Sequence, residues 1–210
     1  MKKYELTDET LKIGAITLHR IKAVVAFADV SAGETGGWVE KEENLGQAGA
    51  AWVSGAARVS GDARVSGDAR VYGAARVSGA ARVSGAARVS GDAWVYGDAR
   101  VYGDACVFGD ARVSGDARVS GDTCVFGDAS HLEIGPIGSR DDTITFTRDK
   151  KGGIYAAIGC FFGTLAEFRE KVGKTHGENV HAQAYLLAAQ LAELRIDTTP
   201  VEDFMETEEA

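Results

Sequence analysis

The chain has 210 residues and a net charge of −8, with 27 glycines, two prolines and three cysteines. Its acidic excess lies mostly in residues 196–210, which carry six acidic and no basic side chains, and no region has the basic surplus that general nucleic-acid binding requires. No apolar run approaches the length of a membrane helix, the first residues (MKKYELTDET) lack a signal-peptide core, and an odd cysteine count fits free thiols, so a cytoplasmic protein without disulfides is expected.

Residues 1–36 read as an N-terminal β capping segment. KYELT and ITLHRIKAVVAF are strand-like, with Gly14 in the turn between them. A strict repeat follows. Thirteen valines, from Val53 to Val125, recur every six residues. Alanine stands two before each from Ala51 to Ala117, with Thr123 as the exception, and glycine stands two after each from Gly55 to Gly127. In the unit V-x-G-[DA]-A-x, Val and Ala alternate inward across one outward residue, as a strand requires. Glycine serves the corner, and Asp or Ala completes it. Three corners close a triangle, so one coil takes 18 residues and stacks on the next as parallel strands about 4.8 Å apart. Val39 and Leu45 begin a partial first coil, followed by a two-residue insertion near Gln47.

This pattern, over residues 37–129, resembles the hexapeptide-repeat family of left-handed β-helices. The lead-in GGWVEKEENL resembles that of small hexapeptide-repeat proteins encoded by phages and prophages. The resemblance implies an all-β left-handed parallel β-helix of about five coils, assembled as a homotrimer in a bacterial host. Left-handedness comes from the resemblance alone, since the general crossover rule favours the right hand.

Stacking by 18 residues sorts the outward side chains into columns: Arg64, Arg82, Arg100, Arg118; Arg58, Arg76, Trp94, Arg112; and Trp52, Arg70, Arg88, Cys106, Cys124. Corner aspartates in each coil are expected to balance the arginines, leaving solvated faces. The third face changes character, because Phe108 and Phe126 stand beside Cys106 and Cys124, with Trp94, Tyr96 and Tyr102 one coil earlier or on an adjoining face. These seven residues are the candidate interface, to be covered by the C-terminal segment or by a neighbouring subunit. A disulfide between Cys106 and Cys124 is geometrically allowed, but reduced thiols are the expectation in the cytosol.

Residues 130–196 are expected to form a ββαα unit. TITFTR (143–148) and IYAAIGCF (154–161) read as strands, and Thr164 with Glu167 as a capping box that opens a helix with Leu165, Phe168 and Val172 inward. A second helix runs from Asn179 to Arg195, with Val180, Ala184, Leu187, Leu191 and Leu194 as its apolar face. Residues 197–210 read as an acidic flexible tail.

The well-known enzymes of the resembled fold use a histidine projecting from a coil, or three histidines around zinc. Here His19, His131, His176 and His181 all lie outside the perfect repeats, so neither catalysis nor a metal or cofactor is expected. The candidate ligand site is the loop 135–143. There Ser139, Arg140 and Thr143, with Arg148, Lys174 and His176, could hold an anion, and Tyr155 could stack on a base. Three functions follow as expectations. The first is a phage-type binder that sequesters a nucleotide signal of antiphage defence. The second is a structural or host-protein interaction scaffold. The third is a divergent acyltransferase-like enzyme using His131 or His176.

Overall fold

A computed structural model describes residues 2–127 and 130–199. Residues 53–125 wind into a parallel β-solenoid with three flat faces. Each face consists of two- or three-residue strands centred on successive repeat valines and joined in register 18 residues apart. One face stacks Trp52–Val53, Arg70–Val71, Arg88–Val89, Cys106–Phe108 and Cys124–Phe126. The ladder is regular: Arg88 N–H donates to Ala105 O at 2.9 Å and Ser90 N–H to Val107 O at 2.9 Å. Every repeat Val and its Ala partner is buried, so the interior is a continuous column of small β-branched and methyl side chains.

The corner glycine is required by its neighbour as much as by its own torsion. Gly85 has φ of +70°, and a Cβ built on it would stand 2.8 Å from the Gly103 backbone nitrogen one coil on. The three columns of outward residues fall as the period predicts. The expected charge balance does not. Coil 74–91 carries Arg76, Arg82 and Arg88 but no acid, because its corners hold Ala74, Ala80 and Ala86. Among the described residues, Arg70 is the one outward coil arginine in a salt bridge, with Asp29.

At the N-terminal end, β1 (Tyr4–Ile13) and β2 (Ile16–Ala23) form an antiparallel hairpin about Gly14, and β2 pairs with β3 (Thr35–Val39) on the edge of one coil face. Leu45 bridges Val65 in parallel, so Val39 and Leu45 do occupy a first coil. The extra residues around Gln47 have a use. Its side-chain oxygen accepts from Lys3 N–H at 2.8 Å, and its amide donates to Tyr4 O at 3.2 Å. The Lys3 ammonium donates to Ala51 O at 2.8 Å, and the Tyr4 hydroxyl to Leu45 O at 2.8 Å, satisfying carbonyls that have no coil beneath them.

The C-terminal segment departs from the two strands expected. It forms a four-stranded antiparallel sheet of His131–Ile137, Asp142–Arg148, Ile154–Ile158 and Phe161–Thr164. IYAAIGCF is not one strand, because Gly159, at φ of +55°, turns the chain between Ile158 and Phe161. The sheet lies against the last coil and supplies acceptors to it. Arg118 N–H donates to Thr145 Oγ1 at 3.1 Å, and Ser114 N–H faces the Glu133 carboxylate. The exceptional Thr123 is buried here. Its hydroxyl donates to Ser120 O at 2.7 Å, and its backbone bridges Asp149.

Two helices follow, α1 (Leu165–His176) and α2 (Val180–Arg195). The Thr164–Glu167 capping box forms, and Leu165, Phe168 and Val172 face inward. The face expected for α2 is the wrong one. Ala182, Tyr185, Ala188, Ala189 and Ala192 are buried, whereas Leu187 is 65% and Leu194 86% exposed. Small residues let α2 approach its supporting sheet closely, and Tyr185 fills the remaining space against Phe168. Of the expected tail, residues 197–199 are held, because buried Arg148 donates to Asp197 O and Thr199 O. Residues 200–210, and the end of the coil span at 128–129, lie outside the described residues.

Candidate functional site

The loop after strand His131–Ile137 tightens into a single 3-10 turn, Gly138–Arg140, followed by Asp141 in the left-handed region at φ of 49°. Gly138 holds a position where any side chain would be strained. Its φ is +76°, and an added Cβ would meet the Tyr185 hydroxyl at 1.7 Å. Tyr185 thus stands against both the turn and His176 at the C-terminal end of α1. Between them opens a cleft of about 260 Å³, lined by Ser139, Arg140, Asp142, Lys171, Thr175, His176 and Tyr185, with the Gly159–Cys160 turn as its rim.

Three of the seven expected ligand residues, Ser139, Arg140 and His176, therefore meet. Arg140 and Lys171 place two cations at the mouth, and the His176 ring packs against Tyr185 at 5.5 Å between centroids. Burial holds the Tyr185 hydroxyl above its usual pKa, with the Asp142 charge adding to this and Arg140 opposing it. The hydroxyl remains a donor at neutral pH. The cleft can thus offer guanidinium, ammonium, hydroxyl and imidazole groups to an anion.

The other four lie elsewhere. Arg148 is the clamp on residues 197–199. Lys174 forms an i,i+4 ion pair with Glu170. Tyr155 is stacked on Phe162 at 5.4 Å and 23°, on the sheet rather than at the turn. Thr143 packs against Gly135 across the hairpin, where a Cβ would meet its Oγ1 at 2.6 Å. Lys171 and Tyr185 were missed in the sequence. The signal for Tyr185 was the 182/185/189/192 spacing of small residues around it, which the more apolar leucine stripe masked.

The seven candidate interface residues are not one surface. Trp94 and Tyr96 share one coil face, Tyr102 belongs to a second, and Cys106, Phe108, Cys124 and Phe126 to the third. Cys106 and Cys124 are paired neighbours and buried, and the Asp149–Gly153 turn of the same chain comes down beside them. A hydrogen bond from the Cys124 thiol, helped by the Lys150 and Arg88 charges, lowers Cys106 to about 7, while the Cys124 thiol is pushed up by the same partner and by burial. Phe108 and Phe126 pack ring to ring at 4.9 Å.

Among the described residues no group of three or more His, Cys, Asp or Glu is placed to hold a metal, and no helix is long and apolar enough to cross a membrane. His131 lies at the join of sheet and coil, 3.9 Å from Glu133. A family model described as YdcK beta solenoid repeat matches residues 57–73, 63–79, 81–97 and 111–127, all within the coils. No curated protein matches the chain.

Proposed function

We propose that this β-solenoid, similar in its repeats to the YdcK type, is a non-catalytic binding protein that holds a small phosphorylated ligand in the Arg140 cleft. In its finer form the solenoid is a left-handed β-helix of phage or prophage origin, acting in the bacterial cytoplasm, and the ligand is a nucleotide signal of antiphage defence. The convergence of Arg140, Lys171, Ser139 and His176 on one cleft supports it, because sequestration needs preorganised donors without turnover. Calorimetric titration with cyclic and ADP-ribose-type nucleotides tests it. One of them should bind, and Arg140→Ala should weaken that binding about tenfold or more, as loss of a charged hydrogen bond does. Silence across the nucleotide panel, or binding indifferent to Arg140→Ala, would exclude this function for the cleft.

A second reading, an interaction scaffold, is favoured by α2. Val180, Ala184, Leu187, Leu191 and Leu194 follow the alternating four- and three-residue spacing of a coiled-coil seam, and all but Ala184 are exposed. Such a stripe suits self-association, and the trimer implied by the hexapeptide-repeat resemblance would use it. Light scattering after size exclusion should then give three chain masses, reduced to one by Leu187→Lys with Leu194→Lys. A monomer before substitution would remove the trimer.

A further inference from the structure

Two regular columns on one coil face break at the same coil. The residue before the valine runs Arg58, Arg76, Trp94, Arg112, and the residue after it Ser60, Ser78, Tyr96, Ser114. Trp94 and Tyr96 replace the Arg and Ser that the other repeat strands of this face carry, the lead-in strand before them holding Trp38 and Glu40, and their rings meet edge to face at 6.0 Å and 81°. The coil does not need them for its packing, since they point outward and are 39% and 37% exposed.

The hairpin supplies a facing wall. Its last pairing with β3 towards the tip is His19 with Val39, so Ile16–Leu18 run on past the coil strand. Ile13, Ile16 and Leu18 close a cleft of about 500 Å³ against Trp94, Tyr96 and Arg76, a volume in the range of small-molecule sites. The cleft is also positively charged. Arg58 and Arg76 line it, and the Arg76 guanidinium lies over the Trp94 ring at 5.0 Å. Among the described residues neither forms a salt bridge. The acid-free coil 74–91 explains why Arg76 has no nearby carboxylate in its own coil.

We infer that this cleft binds a planar aromatic ring carrying an anionic group. The ring stacks on Trp94 beneath Ile13 and Ile16, and the anion lies on Arg58 and Arg76. A nucleoside monophosphate and a simple aromatic carboxylate share this chemistry, and AMP and 2-naphthoate are the probes that distinguish them.

The test is calorimetric titration of the full chain with each probe, with adenosine as the uncharged control. The variant Trp94→Arg with Tyr96→Ser installs residues that the same columns already carry, so the coil is expected to fold unchanged. At least one probe should bind, and this variant should weaken it about tenfold or more, the effect of losing an aromatic stacking partner. Should AMP be the ligand, adenosine should bind about tenfold more weakly, the effect of losing a charged contact. Loss of binding in the double variant assigns it to this site, because neither Trp94 nor Tyr96 lines the Arg140 cleft. Binding of neither probe at millimolar concentration overturns the inference. So does affinity unaltered by the double variant or, where AMP binds, equal binding of adenosine.

Discussion

The coils and α2 both bury alanine, but they treat their larger apolar residues in opposite ways. In the coils each Ala shares the interior with a Val, and both are wholly enclosed. In α2 the alanines are inside and the leucines outside. The difference lies in what each element packs against. A coil rests on a copy of itself, so the pleat that turns one valine inward places every valine of its column over another. A helix has no such constraint. Its inward face is whichever one fits a partner of different shape, and here a close approach to α1 and strand His131–Ile137 selects the small residues around Tyr185.

The sharpest way to break this comparison is to place a charge on each apolar set. Val89→Asp puts a carboxylate into the closed interior of the central coils, with no partner within the alanine and valine column. It should cost at least about 4 kcal/mol, enough to abolish the cooperative unfolding transition in urea. Leu194→Lys, at a position 86% exposed, should change the stability of the folded chain by less than about 0.5 kcal/mol. A cost of several kcal/mol at Leu194 in dilute solution would mean that the leucine stripe is part of the chain's own core.

Glycine sharpens the comparison with effects of opposite sign. At Gly85 the left-handed torsion and the contact with Gly103 nitrogen both oppose a methyl group. Gly85→Ala should therefore destabilise by about 2 kcal/mol or more, from the torsional penalty together with the strain of moving two stacked corners. Gly173, in the last turns of α1, has nothing within 4 Å of an added Cβ and no left-handed torsion. Gly173→Ala should stabilise by about 0.5–1 kcal/mol. Chemical denaturation of the two variants measures both signs.

The same contrast explains what could be read from the chain. Strand centres, coil length, the three outward columns, the first coil at Val39 and Leu45 and the insertion at Gln47 follow from a period that the backbone enforces locally. The hydrogen bonds that Gln47 makes do not, because they depend on Lys3 and Tyr4, more than forty residues away in sequence. At the C-terminal end the Thr164 cap and the inward face of α1 were legible, since a helix start is written within four residues. The strand His131–Ile137, the outward leucines and the Arg140 cleft were only partly legible. Arg140 and His176 meet because Tyr185, whose side was misread, seats the Gly138 turn beside α1.

The two ends of the solenoid, each closed by different chemistry, should respond to pH in opposite senses. At the C-terminal end, burial raises the Glu133 carboxyl from its ordinary value to about 7, with the Asp116 charge adding to the effect and the Ser114 N–H opposing it. Its folded pKa is above its unfolded one, so the folded state holds more protons between about pH 4.5 and 7, and this group's contribution to stability is complete below that window and falls as pH rises through it. Glu133→Gln should remove that slope and gain about 1–2 kcal/mol at pH 8, after allowing for solvent screening of a partly exposed group. At the N-terminal end, burial lowers Lys3 to about 8, with Arg70 contributing and Asp68 opposing. Here the unfolded chain holds more protons between about pH 8 and 10.5, so stability from this end rises with pH across that range. Urea midpoints recorded from pH 4 to 10 for the parent chain and Glu133→Gln should differ in slope only in the acidic half. A difference between the two chains that stays flat from about pH 4.5 to 7 would mean that the carboxylate facing Ser114 is solvated rather than enclosed.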